Sequence, residues 1–103
     1  MTRRIRRGEV YDWASPAGPR RVVVLSEDLV NEHSWPVCAL IVRTGQPSLF
    51  LVACVDADPV GGLVAVNTLG ATPPGELGER PVGMLTGTTM QRVEVGLRAL
   101  LGL

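Results

Sequence analysis

The chain has 103 residues, 46% of them hydrophobic, and its ten basic and ten acidic residues leave a formal net charge of zero. That is enough for a single domain, residues 1–103, with a core of its own, and too apolar for a disordered segment. A neutral chain does not hold polyanions by bulk charge, so any anion site must be a local patch.

The basic charge leans toward the start. All ten basic residues are arginine, four of them in RRIRR, residues 3–7. No apolar stretch of the secretory kind follows them. The longest apolar run, LFLVACV at 49–55, is too short to span a bilayer. A cytoplasmic protein with no membrane contact is expected. EVYDW, 9–13, alternates as a strand, and ASPAGP, 14–19, reads as a Pro/Gly loop. RRVVVL, 20–25, is a second strand, and EDLVNEHS, 27–34, is a loop or one helical turn. PVCALIV, 36–42, is a buried strand apolar on both faces. TGQP, 44–47, is a turn, and a further strand follows through Val55. DADPVGG, 56–62, ends that strand, and LVAV, 63–66, is another. ATPPGELGE, 71–79, is a long loop, since its prolines do not fit inside a ladder. VGML, 82–85, is a last short strand.

The tail changes period. Met90, Val93, Leu97, Leu100 and Leu101 fall on one helical face, with Thr86 as N-cap and Gly102 as stop. The expected fold is therefore mainly β (α+β): a small partial barrel of five to six strands with a C-terminal helix. Cys38 and Cys54 sit singly in apolar runs and read as buried small hydrophobes. With one histidine and no ligand spacing, neither a metal nor another cofactor is expected.

The stretch GPRRVVVLS, 18–26, sets two arginines against a run of valines. Arginine offers a planar fork of donors to phosphate, so a strand opening on one is either an anion site or an ordinary solvated strand end. Arg20 and Arg21 point to opposite sides of a regular strand, so one of the two faces any groove. Trp13 closes the first strand, where it can stack an unpaired base or pack in a core or interface. His33 and Glu32 read as solvated loop residues, and Glu27 and Asp28 as carboxylates close behind the second strand.

RRGEVYDW, a Pro/Gly loop, RRVVVLSED, PVCALIVRT, GGLVAVNTL and MLTGTTMQRVEVGLRALLGL occur in an order that resembles the MazF/PemK toxins of type II toxin–antitoxin systems, over about residues 4–103. The resemblance implies an SH3-like, CcdB-like barrel that forms homodimers. It also implies a metal-independent endoribonuclease that cuts single-stranded RNA at short sequences. Its inhibitor would be an antitoxin peptide lying in the RNA groove. Arg20 matches the family's arginine at the start of the second strand, and Arg21 stands where proline is usual. The family's Thr or Ser at the end of the next long strand falls on Arg43, with Thr44 one step later. A one-residue slip reverses the face, so either a bulge re-aims Thr44 or Arg43 supplies a second guanidinium. Asn67 and Thr68 stand where relatives have Asp-Gln followed by a basic residue.

Such cleavage uses the substrate's 2′-OH as nucleophile and needs a proton taken, a proton given and a charged phosphorane neutralised. The resemblance assigns Arg20 and Thr44 as catalytic residues. Arg43, Arg21, Glu27, Trp13, Asn67 and Thr68 are substitutes or RNA contacts, and RRIRR is a stretch that can track the RNA backbone. Two further readings stand: a catalytically degenerate MazF-like dimer that binds RNA or an antitoxin, and a CcdB-like gyrase poison. The gyrase poisons end in a Trp-Gly-Ile-type tail, whereas this chain ends in LRALLGL.

Overall fold

The computed structural model describes residues 4–43 and 54–103. Among them the elements are β1 (Glu9–Ser15), β2 (Gly18–Val24), α1 (Asp28–His33), β3 (Val37–Val42), β4 (Cys54–Asp56), β5 (Leu63–Ala71), β6 (Gly83–Met84) and α2 (Gly87–Leu101). A 3₁₀ turn covers Pro74–Glu76. The strands form one antiparallel six-stranded sheet in the order β4-β5-β3-β2-β1-β6, curled into a half-barrel. This is the mainly β partial barrel with a C-terminal helix that the sequence predicts.

The Pro/Gly loop expected at 14–19 is smaller than that. Ser15 pairs with Gly18, leaving Pro16 and Ala17 as a two-residue hairpin turn, and Pro19 stands inside β2 opposite Ala14. The hairpin closes because Gly18 takes φ +113°, a conformation costly for other residues. Proline is tolerated there because β3 joins β2 only from Val22 onward, so β2 is still an edge at Pro19.

The strand expected at 63–66 runs on to Ala71. Between the pairs Leu40↔Ala65 and Cys38↔Gly70, β3 advances two residues and β5 five, which makes a bulge. Thr68 closes it. Its hydroxyl accepts from the Leu40 amide (2.8 Å) and donates to the Ala65 carbonyl (2.6 Å), replacing lost ladder bonds. The polar NTLG segment hides this continuation from a pattern reading.

Alternation divides β2 between two apolar layers. Val23 joins Val10, Ala39, Val64, Val66 and Val93 on the side covered by α2, with Met90 and Leu97 packed against them. Val22 and Val24 join Tyr11, Cys38, Ile5 and Leu77 on the other side. α2 has the expected caps. Thr86 Oγ1 accepts from the Thr89 amide (3.1 Å), and Gly102 ends the helix at φ +74°. Its last turn differs from the expectation: Leu100 and Leu101 are 45% and 60% exposed.

The arginine-rich start is tied down from Ile5 onward. Ile5 is buried, the Arg7 amide donates to Asp28 Oδ1 (3.0 Å), and the Arg7 guanidinium pairs with Glu94 on α2. Arg7 thus ties the start of the chain to α2. No helix among the described residues is long and apolar enough to cross a membrane.

Candidate nucleic-acid interface

The half of the sheet that α2 leaves uncovered is only partly closed by Ile5 and Leu77. The remainder is a shallow cleft of about 180 Å³. Val22, Leu40 and Cys38 line it from the middle strands, Trp13 from β1, and Thr68, Gly70, Ala71 and Thr72 from β5 and its end. Cys38 is buried, and burial raises its thiol above the ordinary value of 9.0, a hydrogen bond with Thr72 offsetting part of the rise. Burial likewise raises Cys54, which is half-buried. Both are poor nucleophiles in that state.

Arg20 stands at the rim of this cleft. It lies two residues before Val22, hence on the same face, and pairs directly across from Trp13. Such cross-strand neighbours hold their Cβ atoms about 5 Å apart. Arg20 is exposed, and its guanidinium makes no hydrogen bond or ion pair among the described residues. Arg21 faces the other way, across from Asp12, and its Nε donates to Asp12 Oδ1 at 3.2 Å. The two neighbours in sequence therefore have separate surroundings, one beside the cleft and one in a surface ion pair.

The other candidates disperse. Thr44 lies outside the described residues. Arg43 is exposed and follows β3 at the same end of the sheet as Arg20. Glu27 precedes α1 beyond the opposite end of β2. The strand from Arg20 to Val24 alone spans about 13 Å, which separates Glu27 from a phosphate held by Arg20. The Asp28 carboxylate already accepts from the Arg7 amide. Asn67 is exposed on β5, while the Thr68 hydroxyl, although in the cleft wall, is engaged in the bulge. His33 ends α1 and is exposed. Among the described residues no three His, Cys, Asp or Glu side chains gather in a way that holds a metal ion.

One functional candidate is absent from the sequence reading. The Trp13 indole N–H donates to Glu76 Oε1 at 2.9 Å, which puts a carboxylate directly behind the aromatic wall of the cleft. Glu76 is held in place by the 3₁₀ turn, its own amide donating to the Pro73 carbonyl (3.0 Å). Leu77 bridges to Trp13, and the Gly78 amide donates to the Asp12 carbonyl (2.8 Å). The Pro-Pro-Gly run marks a loop, but a pairing 63 residues away along the chain leaves no periodic signal.

Comparison with known proteins places this arrangement. No family model matches the sequence, and no curated protein matches it. Solved structures do. An endoribonuclease from a mycobacterial species, in complex with its cognate antitoxin, is 27% identical with a TM-score of 0.79, over 96% of each chain. A mycobacterial endoribonuclease is 23% identical with a TM-score of 0.79, over 100% of this chain and 95% of that one. A MazE–MazF structure from Deinococcus radiodurans is 14% identical with a TM-score of 0.77, over 97% and 98%. In fold, over nearly its whole length, the chain is similar to these endoribonuclease and MazF structures.

Proposed function

We propose that this protein is an endoribonuclease toxin that cuts single-stranded RNA without a metal ion and is neutralised by an antitoxin. The observation that carries the reading is Arg20: a guanidinium unpaired among the described residues, on a hydrogen-bonded hairpin, beside an aromatic-walled cleft. An antitoxin segment occupying the cleft would cover Arg20 and block the substrate. The structural neighbours solved with their antitoxins support such a partner. The active form is a homodimer acting in the cytoplasm, where its RNA is found.

In the reaction, the 2′-OH gives up its proton as its oxygen bonds to the neighbouring phosphorus, the P–O5′ bond breaks, the leaving 5′-oxygen takes up a proton, and a 2′,3′-cyclic phosphate remains. Charge accumulates on the phosphoryl oxygens at the transition state. Two Arg20 N–H groups match two of those oxygens and keep their charge at every working pH. Thr44 supplies a hydroxyl to the phosphoryl group or to proton transfer, and Arg43 a second cation at that end of the sheet. Trp13 stacks a neighbouring base.

The test is incubation of the full chain with long single-stranded RNA, with and without EDTA, followed by end analysis. Cleavage that EDTA leaves unchanged, with 2′,3′-cyclic ends, is the expected result. Absence of cleavage overturns it. A binding module without nuclease activity is the second reading, favoured by the engaged Thr68 hydroxyl and by Arg43 at the Thr/Ser position. Binding with a steep salt dependence but no cut would select it. Inhibition of purified gyrase in a supercoiling assay would select the CcdB-like alternative.

A further inference from the structure

We infer that the cleft seats one pyrimidine of the RNA, adjacent to the phosphate at Arg20, against a Trp13 ring that Glu76 holds in position. This rests on the ribonuclease reading and adds the class of base and a positioning residue. Three observations carry it.

The first is size. Pockets for drug-sized ligands run to about 300–1,000 Å³, and an apolar cavity of about 150 Å³ holds one benzene ring. The cleft, at about 180 Å³, has room for a single six-membered ring and not for a nucleotide's sugar and phosphate as well. Those groups must remain outside, at the rim.

The second is placement. Arg20 is the rim residue directly across the ladder from Trp13. A base on the indole therefore leaves its own backbone beside the guanidinium. Base seat and phosphate site are parts of one nucleotide-sized surface.

The third is the Glu76–Trp13 hydrogen bond. A half-buried indole with a free N–H can turn about its side-chain torsions. With the N–H committed to a carboxylate on a proline-bounded turn, the ring keeps one orientation toward Val22 and Leu40. An open aromatic shelf is tolerant of sequence because every base has a π-face. A shelf with walls on its other sides, here Leu40, Thr68 and Gly70, selects by ring size. Glu76 itself acts only through Trp13 and is a positioning residue.

The experiment uses the full chain and 2′-O-methyl hexamers, which cannot be cut. Binding is read by fluorescence anisotropy of the labelled oligomer. The expected result is tighter binding of oligo(U) and oligo(C) than of oligo(A). Trp13→Ala should remove that difference and weaken oligo(U) by about 5- to 150-fold, the range of stacking on one aromatic. Glu76→Ala should weaken oligo(U) severalfold and raise KM for cleavable RNA while kcat holds. Glu76→Gln, which keeps an acceptor oxygen, should restore binding to within about twofold. In a Trp13→Ala background, Glu76→Ala should have no further effect. Equal or tighter binding of oligo(A), with cleavage intact, overturns the inference alone. So does an unchanged affinity in Glu76→Ala. Failure to bind any hexamer or to cut any RNA removes the ribonuclease reading beneath it as well.

Discussion

Replacing Arg20 and Arg21 one at a time by alanine separates the chemistry from the fold. The residues adjoin in sequence, yet Arg20 lies opposite Trp13 at the cleft and Arg21 opposite Asp12 on the far face. The Arg21–Asp12 pair spans 3.2 Å with side chains 44% and 62% exposed. Such a pair contributes at most about 0.5–1 kcal/mol. Arg20 is exposed and has no partner among the described residues, so its loss should change stability by no more than about 0.5 kcal/mol. Catalysis should divide them the other way. One preorganised donor on a charged transition state is worth about 10²–10³ in rate, or about 2.7–4 kcal/mol. Single-turnover cleavage of a labelled RNA at saturating protein measures the chemical step. The expected outcome is a 10²–10³-fold loss for Arg20→Ala and less than about twofold for Arg21→Ala, with urea melts that keep both within about 1 kcal/mol of wild type. Arg20→Lys, which keeps the charge but loses the fork, should fall between wild type and Arg20→Ala. If Arg20→Ala cuts at the wild-type rate, or both variants lose alike, the face assignment carries no catalytic meaning.

Thr68→Val should leave the Leu40 amide without its acceptor at the bulge and cost about 1–3 kcal/mol in chemical denaturation. Val93→Ala empties a fully buried position between α2 and the sheet, and urea melts should show a loss of about 2–3 kcal/mol. Gly62→Ala puts a Cβ 2.7 Å from the Val42 carbonyl oxygen on a residue at φ +85°, so its Tm should drop by more than that of Val93→Ala or the chain should fail to fold. The raised Cys38 thiol implies a pH effect: the folded chain keeps its proton at pH values where the unfolded chain releases it. Stability should therefore be intact below pH 9.0 and decline as pH rises above it, and Cys38→Ala should flatten that decline, Cys54 carrying what remains.

Much of this architecture is legible because hydrophobic periodicity reports which way side chains face. Val22–Val24 and Val37–Val42 read as buried strands and are strands, and the 3.6-residue spacing after Thr86 marks α2 between its caps. The pattern fails where backbone bonding substitutes for apolar alternation. Asn67–Ala71 carries too few apolar residues to read as strand, and only the Thr68 side chain, bonded to two backbone groups, keeps it in the sheet. The Pro16–Ala17 turn is masked by prolines that suggest a longer loop. At the site, Arg20 is legible from its position ahead of the valines. Glu76 is not, because a contact made by a loop across the barrel has no local signature. The helix end illustrates a different failure. Leu100 and Leu101 keep the period yet lie exposed, and periodicity does not reveal how far the surface beneath a helix extends.

β2 gives alternate residues different neighbours: Val23 meets the layer beneath α2, while Val22 borders the cleft and Arg20 its rim. The two sides of one ribbon can therefore diverge on separate schedules. Cleft-facing side chains around Arg20, Trp13 among them, can change while the helix-side valines stay fixed.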